Sequence, residues 1–195
     1  MLHWIVGLVF IMLNLACTTH PHPGGHDEYV NKIQAHSAGD KQFAGLYHNF
    51  EFRSTLLSRD ISRTIHNRMN LYYDWGKDEA SKKLQERMAE LDSKTKVWLS
   101  FFTPERKDDN LANKVSIWKI YLVADGTRYE GKAKKANTNF SEARALFPYH
   151  SRWATPYYVE FPVPTDEVSG RNTKLVITGP LGRREINYPT PTSRL

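Results

Sequence analysis

Cysteine is nearly absent from this chain. Its 195 residues include one, Cys17, so no disulfide forms within the chain. The first sixteen residues carry no Lys, Arg, Asp or Glu. No apolar run reaches the roughly 20 residues that a bilayer-spanning helix needs, which excludes a multi-span helical membrane protein. G-x-S-x-G, H-E-x-x-H, P-loop and dinucleotide-binding signatures are also missing, so no reaction class announces itself. What remains is ordinary globular composition, 40% hydrophobic and 25% charged, with a net charge of +6. That balance excludes wholesale disorder and a collagen-like chain, and the length fits one domain.

The uncharged N-terminus has a shape of its own. Trp4 to Leu15 is an almost unbroken apolar run, followed by Ala16 and Cys17. A run this short at an N-terminus reads as the core of an export signal. Leu13-Asn14-Leu15-Ala16-Cys17 resembles the lipobox of bacterial lipoproteins. Asn14 stands where that family usually carries Leu, and Met1-Leu2-His3 has no basic residue. The resemblance implies cleavage before Cys17, a diacylglyceryl group on its sulfur and an acyl chain (palmitate or similar) on the new amine. It also implies attachment to the cell envelope, at the outer membrane if the cell is diderm, because Thr18 rather than Asp follows the cysteine. Stable anchoring takes more than one acyl chain, and a triacylated cysteine supplies that. An ordinary secretory signal cut after Ala16 is the plainer alternative.

Residues 1–16 are thus expected as signal and 17–40 as the lipidated cysteine with a flexible tether. The tether is marked by His20-Pro21-His22-Pro23-Gly24-Gly25. His20, His22, His26 and His36 lack the spacing of a metal motif, so no metal or other cofactor is expected.

Residues 45–190 read as a single β-rich domain. Phe50 and Phe52 alternate with polar neighbours as a short first strand. Ile61, Ile65, Met69, Tyr72, Ala80, Leu84, Met88 and Leu91 keep helical steps, predicting one long amphipathic helix over 61–93, bent or broken near Gly76. Asp78–Lys82, Glu79–Lys83 and Glu90–Lys94 are acid-before-base pairs that support its solvent face. Strands follow at 97–102, 116–123, 127–134, 157–161, 175–177 and 183–188, with a short helix over 140–147. Asp125-Gly126 predicts a two-residue hairpin. About seven short strands separated by turns predict a mainly β fold, an immunoglobulin-like β-sandwich with the long helix inserted.

Candidate chemistry is sparse, and no catalytic residue is expected. Asp108-Asp109-Asn110 offers hard oxygen ligands, but the calcium-loop spacing is missing, so a solvated loop is expected. Glu160, Asp166 and Glu167 would matter as acid–base groups only if folding paired them. The stretch 147–158 is richest in flat side chains: Tyr149, Arg152, Trp153 and Tyr157 have the character of a sugar- or peptide-stacking surface. Alternatively Trp153 and Tyr157 anchor a long connection onto the core, which is the plainer expectation. Basic spots at Lys132-Lys134-Lys135 and Arg183-Arg184 suit an anionic partner. Export argues against nucleic acid. The expected partners are the membrane, through the anchor, and envelope polysaccharide or another envelope protein.

Overall fold

Asp27 caps the first described helix by accepting a hydrogen bond from the Tyr29 N–H at 3.1 Å. The computed structural model describes residues 27–189; the signal, Cys17 and the histidines at 20, 22 and 26 lie outside that range. Helix α1 spans Glu28–Ala35 and buries Tyr29 and Ile33, four residues apart on one face. Strands β1 (Ser37–Ala44) and β2 (Tyr47–Leu56) pair antiparallel around Gly45, whose φ of 61° requires a residue at ease in the left-handed region. Residues 28–40 therefore correct the expected tether, and the folded region begins well before residue 45. Their signal was weak for a physical reason. β1 is an edge strand whose one large apolar side chain, Phe43, is exposed and none of whose residues is buried, so it has no apolar alternation to read.

The expected long helix is two helices. α2 (Arg59–Tyr73) starts at Ser58, whose Oγ accepts from the Ile61 N–H. It ends at Asp74, with φ 48° and its N–H bonded to the Asn70 carbonyl at 2.9 Å. Asp is one of the few side chains that tolerates this left-handed geometry. Gly76 then caps α3 (Lys77–Leu91). Two of the three expected acid–base pairs form, Glu79–Lys83 at 3.4 Å and Glu90–Lys94 at 3.8 Å.

The remaining elements are β3 (Thr95–Phe102), β4 (Lys119–Ala124), β5 (Thr127–Glu130), β6 (Lys132–Lys135), α4 (Phe140–Leu146), β7 (Thr155–Phe161), β8 (Thr173–Gly179) and β9 (Gly182–Asn187). Among the described residues there are nine strands and four α-helices, so the estimate of seven strands was low by two. β1 is one of the additions. The other arises because the strand expected over 127–134 is divided at Gly131. The Asp125-Gly126 turn has φ values of 47° and 87°, the positive pair that a two-residue hairpin of this hand requires.

Two antiparallel sheets result, ordered β1-β2-β3-β7-β6 and β5-β4-β8-β9. Inward residues of both sheets share one core, including Phe50, Leu99, Phe101, Trp118, Leu122, Val159 and Ile177. At one side the chain passes from sheet to sheet through β5, Gly131 and β6. The Gly131 N–H donates to the Ile120 carbonyl at 2.8 Å. At the other side β9 runs beside β1, where Arg184 Nε donates to the Lys41 carbonyl at 3.1 Å. The outer face of the five-stranded sheet carries a second apolar cluster. Trp98 stacks on Phe147, with ring centroids 4.2 Å apart, and Ile33, Ile61, Ile65, Ala143 and Leu146 roof it from α1, α2 and α4. Among the described residues no helix is long and apolar enough to cross a membrane.

Candidate functional site

The helical layer leaves a gap. Along α2 the isoleucines face the sheet, while Ser62, His66 and Met69 lie on the seam toward α3. Along α3, Lys83, Arg87 and Leu91 recur at four-residue intervals on one face. Leu91 is buried and fixes the end of α3, but little else of that helix is. Leu57, Lys96 on β3 and Tyr158 on β7 form the floor, and Trp75, in the α2–α3 connection, closes the side. Together they line a cavity of about 440 Å³, within the size range of small-molecule sites.

The polar groups of this cavity are incompletely matched. His66 is 4% exposed, and its Nδ1 is buried with no hydrogen-bond partner among the described residues. Burial lowers its pKa, and the positive charges of Arg87 and Lys83 lower it further, so the imidazole is neutral at pH 7. The half-buried Arg87 has no carboxylate partner among the described residues; its guanidinium donates to Met69 Sδ at 3.3 Å, a weak acceptor. Lys83 lies 4.9 Å from the centre of the Trp75 ring. Lys96 is paired with Glu90, and it shares Glu160 with Lys94 and Lys134. Burial works to raise the Glu160 pKa, but these lysines hold it below the ordinary range. The Tyr158 pKa is raised, chiefly by burial. Three cations and two carboxylates line the cavity, leaving one net positive charge while His66 is neutral.

A second, larger groove of about 650 Å³ runs over β1, β2 and β3 beside Tyr149. Its charges cancel. Lys41 and Arg53 stand against Asp40 and Glu51; Lys41 pairs with Glu51 at 3.0 Å, and Arg53 lies 5.2 Å from the Tyr149 ring centre.

The four aromatic-stretch candidates do not share a surface. Tyr157 is 3% exposed in the core between the sheets, and its hydroxyl donates to Asp109 Oδ1 at 2.7 Å. Tyr149 is half-buried and hydrogen-bonded with Thr55 Oγ1 at 2.7 Å. Arg152 is exposed, and Trp153 is 68% exposed. The expected anchoring role is therefore correct for Tyr157 and corrected for Trp153, because the loop after Phe147 turns its indole outward. Asp109 is occupied by Tyr157 and Thr155, and Asn110 Oδ1 accepts from Ser116 and Ile117, so these residues tie down their own loop. Asp166 receives Arg59 at 2.9 Å, while Glu160 stands among lysines. His36 caps α1, its Nδ1 2.9 Å from the Lys32 carbonyl. Among the described residues no cluster of three His, Cys, Asp or Glu is arranged to hold a metal. Sequence reasoning missed His66, Trp75, Arg87 and Tyr158. One local signal was present: Lys83 and Arg87 place like charges four residues apart, which an exposed helix disfavours by a few tenths of a kcal/mol.

Comparison with protein-family models, curated proteins and solved structures returns no match to this chain.

Proposed function

We propose that this chain is a lipid-anchored cell-envelope protein, held by Cys17, whose β domain binds a ligand rather than transforming one. The anchor rests on the uncharged N-terminus and on Leu13-Asn14-Leu15-Ala16-Cys17. With Thr18 after the cysteine, the outer membrane of a diderm cell is the proposed site. The observation that carries the binding half is the cavity between α2, α3 and the sheet. Its half-buried guanidinium and buried imidazole nitrogen lack the partners that such groups ordinarily have.

We also read the fold as immunoglobulin-like, on the strength of strand order. With β1 set aside, β2-β3-β7-β6 follows the A-B-E-D order of such domains. The facing β5-β4-β8-β9 follows C′-C-F-G. α2 and α3 are then an insertion between the first two of those strands.

Intact mass of the membrane-extracted protein tests the anchor, since it reports cleavage and acylation together. Cys17→Ser is expected to abolish both the lipid mass and the partitioning into detergent. A variant that keeps both refutes the lipoprotein reading. A second reading, a carbohydrate- or peptidoglycan-binding module, is favoured by the exposed indole of Trp153 beside the exposed Arg152. It loses Tyr157, which is committed to the core.

A further inference from the structure

We propose that the cavity between α2, α3 and the outer face of the five-stranded sheet binds a monoanionic carboxylate with a small apolar body, its carboxylate seated on Arg87. This rests on the binding-domain reading above and gives it a ligand class.

The argument starts from Arg87. A guanidinium presents several N–H donors in a planar fork and cannot shed its proton. Held half-buried on α3 with a thioether sulfur as its acceptor, most of that capacity is unmatched by the described residues. The neighbouring cations differ. Lys83 has Glu79 at 3.4 Å, and Lys96 has Glu90 and a share of Glu160. Arg87 is therefore the cation with a seat to offer. The donors around it favour an acceptor-rich guest. The Tyr158 hydroxyl makes no hydrogen bond to a described residue, and the neutral His66 ring carries one N–H. A carboxylate offers about four in-plane lone-pair sites on its two oxygens, so it can take the fork and a further donor together.

Charge decides between carboxylate and phosphate. The cavity wall carries a single net positive charge, which one carboxylate neutralises and a phosphate dianion overshoots. Glu86 and Glu90 on the same wall would repel the second negative charge. The remaining lining sets the rest of the molecule. Leu57, Met69, Trp75 and Leu91 offer apolar surface, so the guest carries a compact hydrophobic body behind its carboxylate.

Benzoate is the probe, with benzamide as its uncharged isostere and inorganic phosphate as the competing anion. Equilibrium dialysis is run on the full chain in lipid nanodiscs, with empty discs subtracted. The expected result is saturable benzoate binding, at least about tenfold weaker for benzamide and not displaced by phosphate. Arg87→Gln should weaken benzoate by about tenfold or more, and Arg87→Lys, which keeps charge but loses the fork, by an intermediate factor. Lys82→Gln removes the same charge from the exposed face of α3, outside the cavity lining, and should stay within about threefold of the parent. Circular dichroism melts establish that each variant is folded, and Arg87→Lys carries the test if Arg87→Gln is not. The proposal is overturned by absence of saturable binding up to about 20 mM, by equal affinity for benzamide, or by stronger binding of phosphate. A Lys82→Gln loss equal to that of Arg87→Gln, or an unchanged Arg87→Lys, overturns it as well. The lipid mass on Cys17 in the same preparation reports the anchor separately. Oligosaccharide retention lost on Trp153→Ala, in a chain that ignores benzoate, would leave the binding-domain reading intact and remove this proposal alone.

Discussion

Replacing Gly131 with alanine adds one methyl group where β5 gives way to β6 and the chain crosses between sheets. A Cβ built there lies 2.5 Å from Phe161 Cε1, 2.7 Å from Val159 Cγ1 and 2.9 Å from Phe161 Cζ. Both neighbours are central to the core, at 1% and 0% exposure. Neither can swing into solvent, so ring and backbone must move apart inside a close-packed interior. Overpacking by one methyl ordinarily costs about 1–3 kcal/mol, and three contacts below 3 Å put this site toward the upper end. The backbone at Gly131 is not in the left-handed region, so the whole penalty is steric. Steric penalties can be relieved from the other side. Phe161→Leu removes the atoms nearest the new methyl and should show a favourable coupling with Gly131→Ala of about 0.5 kcal/mol or more in a double-mutant cycle. Urea midpoints of the parent, both single variants and the double variant measure it. Gly131→Ala with an unchanged midpoint, or strictly additive single variants, would refute the reasoning that the sheet crossing is closed by contact with Phe161.

Gly126 provides the opposite case: a Cβ there meets nothing within 4 Å, but φ is 87°. Gly126→Val should cost about 1–3 kcal/mol through backbone strain alone, and Gly126→Asn much less, by the same urea titration; equal midpoints would argue against the left-handed turn. Burial holds the pKa values of both His66 and His150 below the free value near 6.5. The unfolded chain therefore takes up these protons first on acidification, and stability should fall as pH drops from about 6.5 toward the lower folded values. A urea midpoint that holds or rises between pH 7 and pH 5.5 contradicts that sign. Trp153→Ala should shift stability by less than about 0.5 kcal/mol, because the indole is mostly in water; a sharply lowered melting temperature would mean that the ring packs against the domain after all.

Alternation made most strands legible. Val97, Leu99 and Phe101 point into the core while Trp98 and Ser100 point out, and Tyr157, Val159 and Phe161 do the same on β7. The Asp125-Gly126 turn was readable because few residue pairs suit two positive φ values. β1 escaped because an edge strand of Ser, Gly, Asp and Lys buries nothing. The α2–α3 break was legible at Gly76, but not the left-handed stop before it, because Asp74 is one position of many where Asp is simply hydrophilic. The cavity had no local signature. Its lining runs from Leu57 to Tyr158, and only the docking of two helices on the outer sheet face brings those residues together. Tyr157 and Tyr158 illustrate the limit. Adjacent and chemically alike, they face opposite sides of one sheet, and the register of β7 against β3 decides which meets the core and which meets the cavity.

The crossing at Gly131 also bears on how copies of this protein behave beside one another. A protein held on a membrane, as proposed here, meets its neighbours at a surface density far above that of free solution, and bare strand edges would then invite sheet-to-sheet pairing. Here the outer strand of one sheet continues directly into the outer strand of the other, so both edges on that side belong to one short, bent ribbon. β6 is four residues long and three of them are lysine. On the opposite side β9 and β1 lie against each other, with Arg184 donating to the β1 backbone. Crowding on a bilayer should therefore bring these domains together through side chains and charge, leaving each sheet to its own chain.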